Sequence, residues 1–436
     1  MIRRFTRAFW RDRPLLDERA LAEARAAQSS GATAQQPYRR TFELIEKLAR
    51  ALHRYGYTAP HLEDALTAVS ARLGVHGEFF ATPTAIFATL EMQGNEETFL
   101  IRVAPGGVNL DKLSQLDRLT HDLAEGRMSP DDASQRIDEI RATLPRYRGK
   151  ATVVAAMVAS ACSALFFGGG WRDALTCAVI GFVTGLLSLL ARRTLRYGMA
   201  EPMSAFFAGL LACAAAAWMP PVSLFIATCG GLIILLPGLT VTTAISELAT
   251  QHLASGTSRM MSALILFMTI AFGLAVGLKL GIVIFSPPTT AAAIPLPAWT
   301  LYLALVLAPI GFMVRFQVSL SDTLPVVAIC ALAFWCARLG SQALGVANGA
   351  FGGALAVGIA SGLYSRWKGQ PALVTSTVGI IMLVPGSVGF LSITHIIDRD
   401  PVAGIQTAIS MIAAAVAIVT GLLLARLIVP RRSWSE

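Results

Sequence analysis

Ten apolar runs, each near the ~20 residues that a bilayer core asks of a helix, occupy about 151–169, 174–191, 200–219, 222–238, 259–285, 298–314, 323–339, 344–363, 371–390 and 402–429. Backbone groups in lipid must be bonded internally, so these runs predict helices. Before residue 150 the pattern is shorter and mixed. Residues 41–55 predict a helix that Gly56 ends. Thr58 is placed to cap a second helix, with Pro60 in its first turn and Gly74 beyond its end. Residues 78–90 predict one strand, with Pro83 at an edge or bulge, and 97–103 its partner across a turn at Gly94-Asn95. Asn109 should cap a helix to Ala124, and Ser129-Pro-Asp-Asp132 should start the next. The chain thus reads as a polytopic α-helical membrane protein with an N-terminal soluble α+β domain.

One segment occurs twice. Gly231-Leu-Ile-Ile-Leu-Leu-Pro-Gly-Leu239 returns 148 positions later as Gly379-Ile-Ile-Met-Leu-Val-Pro-Gly-Ser387. In the same register Ile245 falls on Ile393, Gly256 on Gly404 and Gly273 on Gly421. Ten spans then divide into two five-helix halves. An odd number per half turns the second upside down, so the halves predict inverted repeats. Pro237-Gly238 should lie toward one face and Pro385-Gly386 toward the other, as two gates about a midplane site. Small-residue spacings at Gly181/Gly185 and Gly345/Gly349/Gly353 predict close helix packing.

Charge orients this plan. Thirteen Lys or Arg, from Arg146 to Arg432, flank one side of the spans; only Arg172, Lys279, Arg338 and Arg399 flank the other. By the positive-inside rule the head and both termini should be cytoplasmic; the membrane expected is a bacterial inner (plasma) membrane. The expected organisation is a basic, disordered segment (1–40), a cytoplasmic α+β domain (41–148), a first membrane repeat (149–286), a periplasmic linker (287–297), a second repeat (298–430) and a cytoplasmic tail (431–436). Composition agrees: 54% of residues are hydrophobic and 14% charged, with mean hydropathy +0.59. The net charge of +9 belongs mostly to the membrane flanks and does not suggest nucleic acid. No signal peptide is expected at the N-terminus. All six cysteines fall in apolar runs without a CxxC pair and read as buried thiols. No metal or other cofactor is expected, and no catalytic residue. A homo-oligomer is left open.

The candidate chemistry sits around the repeated break. Proline removes a backbone donor and glycine relaxes the chain, which frees carbonyls near Pro237-Gly238 and Pro385-Gly386. After the first break Thr243, Ser246 and Glu247 share a helix face, and Ser255 and Arg259 follow. After the second come Ser392 and His395, the latter aligned with Glu247. A partly buried carboxylate or imidazole can titrate near neutrality, so this pair is the candidate for proton coupling. Thr228, Ser376 and Thr377 lie at membrane depth. Such groups call for a functional reading, although hydroxyls also bond back to their own helix. An amphipathic surface helix with solvated charges is the alternative for the Thr243–Glu247 face.

The chain resembles the threonine/serine exporter family. Arg72-Leu-Gly74 with Glu78-Phe-Phe-Ala-Thr-Pro-Thr-Ala-Ile86, and Arg102-Val-Ala-Pro-Gly-Gly-Val-Asn-Leu-Asp-Lys-Leu113, carry the resemblance in the head. Leu236-Pro-Gly238, Ser255-Gly256 with Arg259, and Val384-Pro-Gly386 carry it in the membrane part. It covers about residues 40–430. It implies export of threonine and serine, a cytoplasmic domain joined to ten helices, and drive by the membrane potential or proton gradient. Split relatives of the family are implicated in dicarboxylate (succinate) export, which remains the alternative substrate. A membrane-anchored hydrolase using the head is the alternative of another class, although HExxH, GxSxG and phosphate-loop motifs are absent. A passive channel is the third.

Overall fold

The computed structural model describes residues 39–430, apart from 93–94, 105, 195–197, 287–292, 384–385 and 398–399. The chain begins with α1 (39–55) and α2 (Ala59–Arg72). A three-stranded antiparallel sheet follows in the order β1 (His76–Ala81), β2 (Ala85–Met92) and β3 (Asn95–Arg102). The single strand expected over 78–90 is therefore two. Pro83 lacks an N–H, and the chain turns there because Thr82 donates to the Ala85 carbonyl through both its amide (2.8 Å) and its hydroxyl (2.9 Å). The expected turn residue Gly94 lies outside the described residues.

Two caps are made by the residues expected to make them. Asn109 accepts from the Lys112 amide at the start of α3 (Leu110–Ala124), and Ser129 from Asp132 at the start of α4 (Pro130–Ala142). Thr58 makes no cap bond to α2; its hydroxyl lies 2.7 Å from His61 Nδ1.

Among the described residues seven helical stretches are long and apolar enough to cross a membrane. They are Trp171–Ala191 in α6 (Trp171–Thr194), α7 (Ala200–Trp218), α10 (Leu253–Phe285), Leu320–Leu344 containing α12 (Thr323–Leu344), α13 (Val346–Lys368), Ala372–Ser392, and α16 (Pro401–Ile428). Two apolar helices are shorter, α5 (Lys150–Phe166) and α11 (Trp299–Arg315). The run at 222–238 is no continuous span. It forms α8 (Leu224–Gly231), a turn, and α9, which starts at Gly238 and ends at Ala249. Pro237 stands just before α9, where a missing donor costs nothing. The stretch 372–392 is divided likewise into α14 (Ala372–Ile381) and α15 (Gly386–Ile397).

Packing repeats between the halves. α7 lies on α10 as α13 lies on α16, and α9 on α10 as α15 on α16. Even single contacts recur in register. Gly256 packs on the Ala244 carbonyl, and at the equivalent pair Ser392 donates to the Gly404 carbonyl at 2.6 Å. The two breaks do not lie apart toward opposite faces, as expected; they meet. A Cβ built on Gly386 would stand 3.5 Å from Gly238 Cα and 3.4 Å from Leu236 Cβ. Two interrupted chains can cross this closely because glycine presents no side chain to the other.

The head is docked, not tethered. One hydrophobic core runs from Leu44, Leu48 and Leu66 in the head to Phe312, Met313 and Val378 in the membrane helices. The α3 amides of Leu110 and Asp111 donate to the carbonyls of Phe316 (2.9 Å) and Gln317 (3.2 Å), and Gln317 bonds both backbone groups of Tyr147. The cysteines are free thiols, five buried and Cys336 intermediate.

Candidate functional site

A cavity of ≈ 220 Å³ lies where the head meets the membrane helices. The head supplies His53 from α1, Thr58 and His61 around the start of α2, and Gly106 and Val108 from the segment after β3. The membrane wall carries hydroxyls from Thr242, Thr243 and Ser246 on α9, Ser361 on α13, and Ser376 and Thr377 on α14. Arg259 of α10 and Arg426 of α16 add positive charge, and no Asp or Glu lies among the described lining residues. The first residues of α9 (Leu239, Thr240) and of α14 (Ala372, Leu373) also face it. Helix N-termini carry partial positive charge and open amides, so both ends favour an anionic group.

Two buried polar atoms in this wall have no hydrogen-bond partner among the described residues: Ser361 Oγ and His53 Nδ1. The other ring nitrogen, His53 Nε2, lies 3.1 Å from the Thr82 carbonyl oxygen. A carbonyl only accepts, so Nε2 carries the hydrogen and Nδ1 keeps its lone pair in the neutral ring. Burial lowers the His53 pKa from its ordinary 6.5; the Thr82 bond opposes this, Arg259 adds to it and Glu247 opposes it. The ring is thereby held as a neutral acceptor. Just below pH 6.5 the unfolded chain takes up a proton that the folded ring resists, so folded-state stability falls on acidification through that window. Glu63 has the opposite sign: burial raises its pKa above 4.5, and acidification toward that window favours the folded state. The apparent melting temperature should therefore fall from pH 7.5 to about 6, and His53→Gln should flatten that slope. An unchanged slope in the variant would exclude His53 as its source.

Glu247 is fully buried and does not line the cavity. Its carboxylate accepts from Arg259 Nε (3.1 and 2.9 Å), Ser255 Oγ (2.8 Å) and the Ala59 amide (3.0 Å). The last bond supplies the cap that Thr58, engaged with His61, does not make: a membrane-helix carboxylate accepts from the first amide of the head's α2 and interacts with its dipole. A second tie lies alongside, where His252 Nε2 is 3.1 Å from Glu63 Oε2 and Nδ1 is 2.8 Å from the Thr250 carbonyl.

The residues singled out from the sequence thus separate. Thr243, Ser246, Arg259, Ser376 and Thr377 come together in the cavity wall. Glu247 stands behind Arg259 and holds it, and Ser255 donates to Glu247. Pro237 precedes α9, and Gly238 and Gly386 form the crossing next to Leu239. Pro385 lies outside the described residues. Thr228 bonds back to Leu224 (2.7 Å) and Phe225 (3.3 Å) within α8, Ser392 is committed to Gly404, and His395 is half-buried on α15 outside the described lining. The sequence reading passed over His53, His61 and Ser361. A lone histidine in an amphipathic helix carries no signal of a cavity 200 residues further along the chain. Gly106, within the Pro-Gly-Gly motif, had one: it packs directly on the Arg54 carbonyl, where any Cβ would collide.

Interrupted helices around a cavity with hydroxyls and two arginines in a largely apolar wall, beneath a docked head, define a polytopic membrane protein of transporter build. The family described as "Putative threonine/serine exporter" matches residues 43–281, and "Threonine/Serine exporter, ThrE" matches 301–428. The chain belongs to the threonine/serine exporter family. It is similar to a "Probable threonine/serine exporter" of Mycobacterium tuberculosis, 28% identical over 351 residues, covering 75% of this chain and 64% of that one. It is also similar to "Pheromone-regulated membrane protein 10" of Eremothecium gossypii (26% over 356 residues; 79% of this chain, 48% of that one). The protein of that name in Saccharomyces cerevisiae is 24% identical over 421 residues, 88% of this chain and 53% of its own length. The chain thus spans roughly half to two thirds of these relatives. No solved structure matches it.

Proposed function

We propose that this chain is a secondary exporter whose cavity binds a small polar amino acid, threonine or serine. The observation that carries this reading is an unpartnered neutral acceptor, His53 Nδ1, in the same small cavity as two arginines. Arg259, Arg426 and the first turn of α9 suit the substrate carboxylate, as half-helix N-termini do in other transporters. His53 Nδ1 suits its ammonium or hydroxyl proton. Thr243, Ser246, Ser376 and Thr377 complete the polar wall. The volume lies below the ~300–1,000 Å³ of drug-sized sites, which fits a small metabolite.

In this reading α8 with α9, and α14 with α15, are two interrupted spans. With the short α5 and α11 they bring the total to ten, in two inverted halves. The head and both termini are cytoplasmic in the inner (plasma) membrane, on the asymmetry of the flanking charge. Substrate enters from the head side, and the Gly238–Gly386 crossing is the barrier that opens outward. Protons couple at Glu247. Protonating it weakens its bonds to Arg259 and Ala59 together, which links proton binding to release of Arg259 and of the head.

A dicarboxylate is the second reading, because two arginines and a described lining free of acids suit two carboxylates. The His53 lone pair opposes the second one. Counterflow of labelled threonine in proteoliposomes distinguishes them. Threonine and serine are expected to compete, and His53→Phe to weaken threonine about tenfold through loss of one bond to a charged group. Flux supported by succinate and insensitive to threonine would overturn the amino-acid reading.

A further inference from the structure

A second, larger concavity of ≈ 1110 Å³ lies on the other side of the segment after β3. Six arginines line it: Arg50 and Arg54 of α1, Arg102 of β3, Arg141 of α4, Arg148, and Arg315 at the end of α11. They come from segments far apart in sequence, so their convergence is a product of the docked head and not a local basic run. No Asp or Glu is among the described lining residues. Arg50 is paired with Glu46 and Arg141 with Asp138. Arg54, Arg102 and Arg148 have neither an ion pair nor a side-chain hydrogen bond among the described residues. Arg54, Arg102 and Arg148 thus bring like charges to one hollow without an ion-pair partner among the described residues, and these repel unless an anion or solvent ions screen them.

The floor is built of different material. It consists of Thr152 on α5 and of Thr184, Gly185 and Ser188 on α6. Thr184 is 1% exposed, and its hydroxyl has no partner among the described residues. A buried hydroxyl without a partner among the described residues, lining the same hollow as the arginines, is a polar atom in need of a ligand.

We propose that this hollow binds a phosphate-bearing anion. Guanidinium forks pair with phosphate oxygens two at a time, and forks arriving from several directions match a tetrahedral group better than a planar carboxylate. The volume admits more than a single phosphate. The chemistry is shared by two sources, an anionic phospholipid head group and a soluble phosphate compound. The apolar Leu189, Ile234 and Leu235 border the hollow on the membrane side and suit a lipid; the head side suits a soluble ligand. Gly106 and Val108 line both cavities, so an occupant here bears on the wall of the first.

The test uses the full chain at about 0.15 M salt, where diffuse surface attraction is largely screened. In nanodiscs of phosphatidylcholine alone, inorganic pyrophosphate is titrated calorimetrically. In parallel, protein from mixed phosphatidylcholine–phosphatidylglycerol nanodiscs is analysed for co-purifying lipid by native mass spectrometry. Saturable pyrophosphate binding supports a soluble source, and retained phosphatidylglycerol a lipid source. In either arm Arg54→Gln with Arg148→Gln is expected to weaken binding at least about tenfold. The control pair Arg127→Gln with Arg136→Gln removes the same charge from the head outside the hollow and should leave binding unchanged. All four arginines are exposed, so the variants are expected to fold, which their melting curves check. Absence of saturable binding in both arms, or equal loss in the control pair, would overturn the proposal.

Discussion

Replacing Arg259 by leucine is expected to cost about 3 kcal/mol. The substitution leaves the Glu247 carboxylate fully buried with only Ser255 and the Ala59 amide to stabilise it. Breaking one side of a buried pair costs ~3–5 kcal/mol, because the remaining charge is uncompensated. The lower end applies here, since the Arg259 side chain is 25% exposed and partly hydrated. The reverse change, Glu247→Leu, should cost less, about 1–2 kcal/mol, because the arginine head can turn to water. The double variant should therefore be more stable than the sum of the two losses implies. Unfolding of the purified variants orders them. If Arg259→Leu proves no worse than Glu247→Leu, or the two effects simply add, the pair is not the coupled unit described. The same site tests coupling: Glu247→Gln should leave the fold intact and abolish the pH dependence of threonine flux. Wild-type pH dependence would remove Glu247 from proton transfer.

Gly277→Leu should abolish assembly of the membrane part. Helix α10 passes α7 so closely that a Cβ on Gly277 would stand 2.9 Å from the Phe206 carbonyl carbon, and closer still to its oxygen. Backbone cannot yield as a flexible side chain does, and Gly273 makes the same approach to Pro202 one turn earlier. Overpacking of this kind costs about 3 kcal/mol or more. In the second half a Cβ on Gly421, the residue that aligns with Gly273, would stand 2.6 Å from the Phe351 carbonyl oxygen, which predicts sensitivity there too. Gly352→Leu is the control, because nothing lies within 4 Å of its Cβ position. Size-exclusion profiles of fluorescently tagged protein report the outcome. A single wild-type peak from Gly277→Leu would mean that α7 and α10 are not packed as described.

Legibility from the sequence followed the range of the interaction. Asn109 and Ser129 could be read as caps because a cap bonds an amide three residues away. Gly273 and Gly421 could be matched because they keep the 148-residue register of the recurring Pro-Gly segment. Hydropathy located the apolar runs, but it measures composition and not continuity. It therefore joined α8 to the turn before Pro237 and counted them as one span. Pro83 was ambiguous for a similar reason: its missing donor fits an edge, a bulge or a turn, and only the Thr82–Ala85 bonds decide for the turn.

The candidate site was half legible. Thr243, Ser246, Arg259, Ser376 and Thr377 stand out as polar groups in apolar surroundings, and the fold gathers them. Glu247 stands out equally, yet it caps a helix 188 residues earlier in the chain. His53 and Ser361 do not stand out at all until the head is docked. The sequence by itself determined that the chain is rich in apolar helices able to enter the membrane repeatedly, that one Pro-Gly segment occurs twice, and that a mixed helical and strand segment comes first. Those properties are sums of local hydropathy, turn chemistry and internal similarity. Only the tertiary structure decided that the two Pro-Gly breaks touch, which polar groups face a cavity and which are consumed by partners. Burial and pairing depend on what the remote chain brings alongside, and a residue's own neighbours in sequence do not encode it.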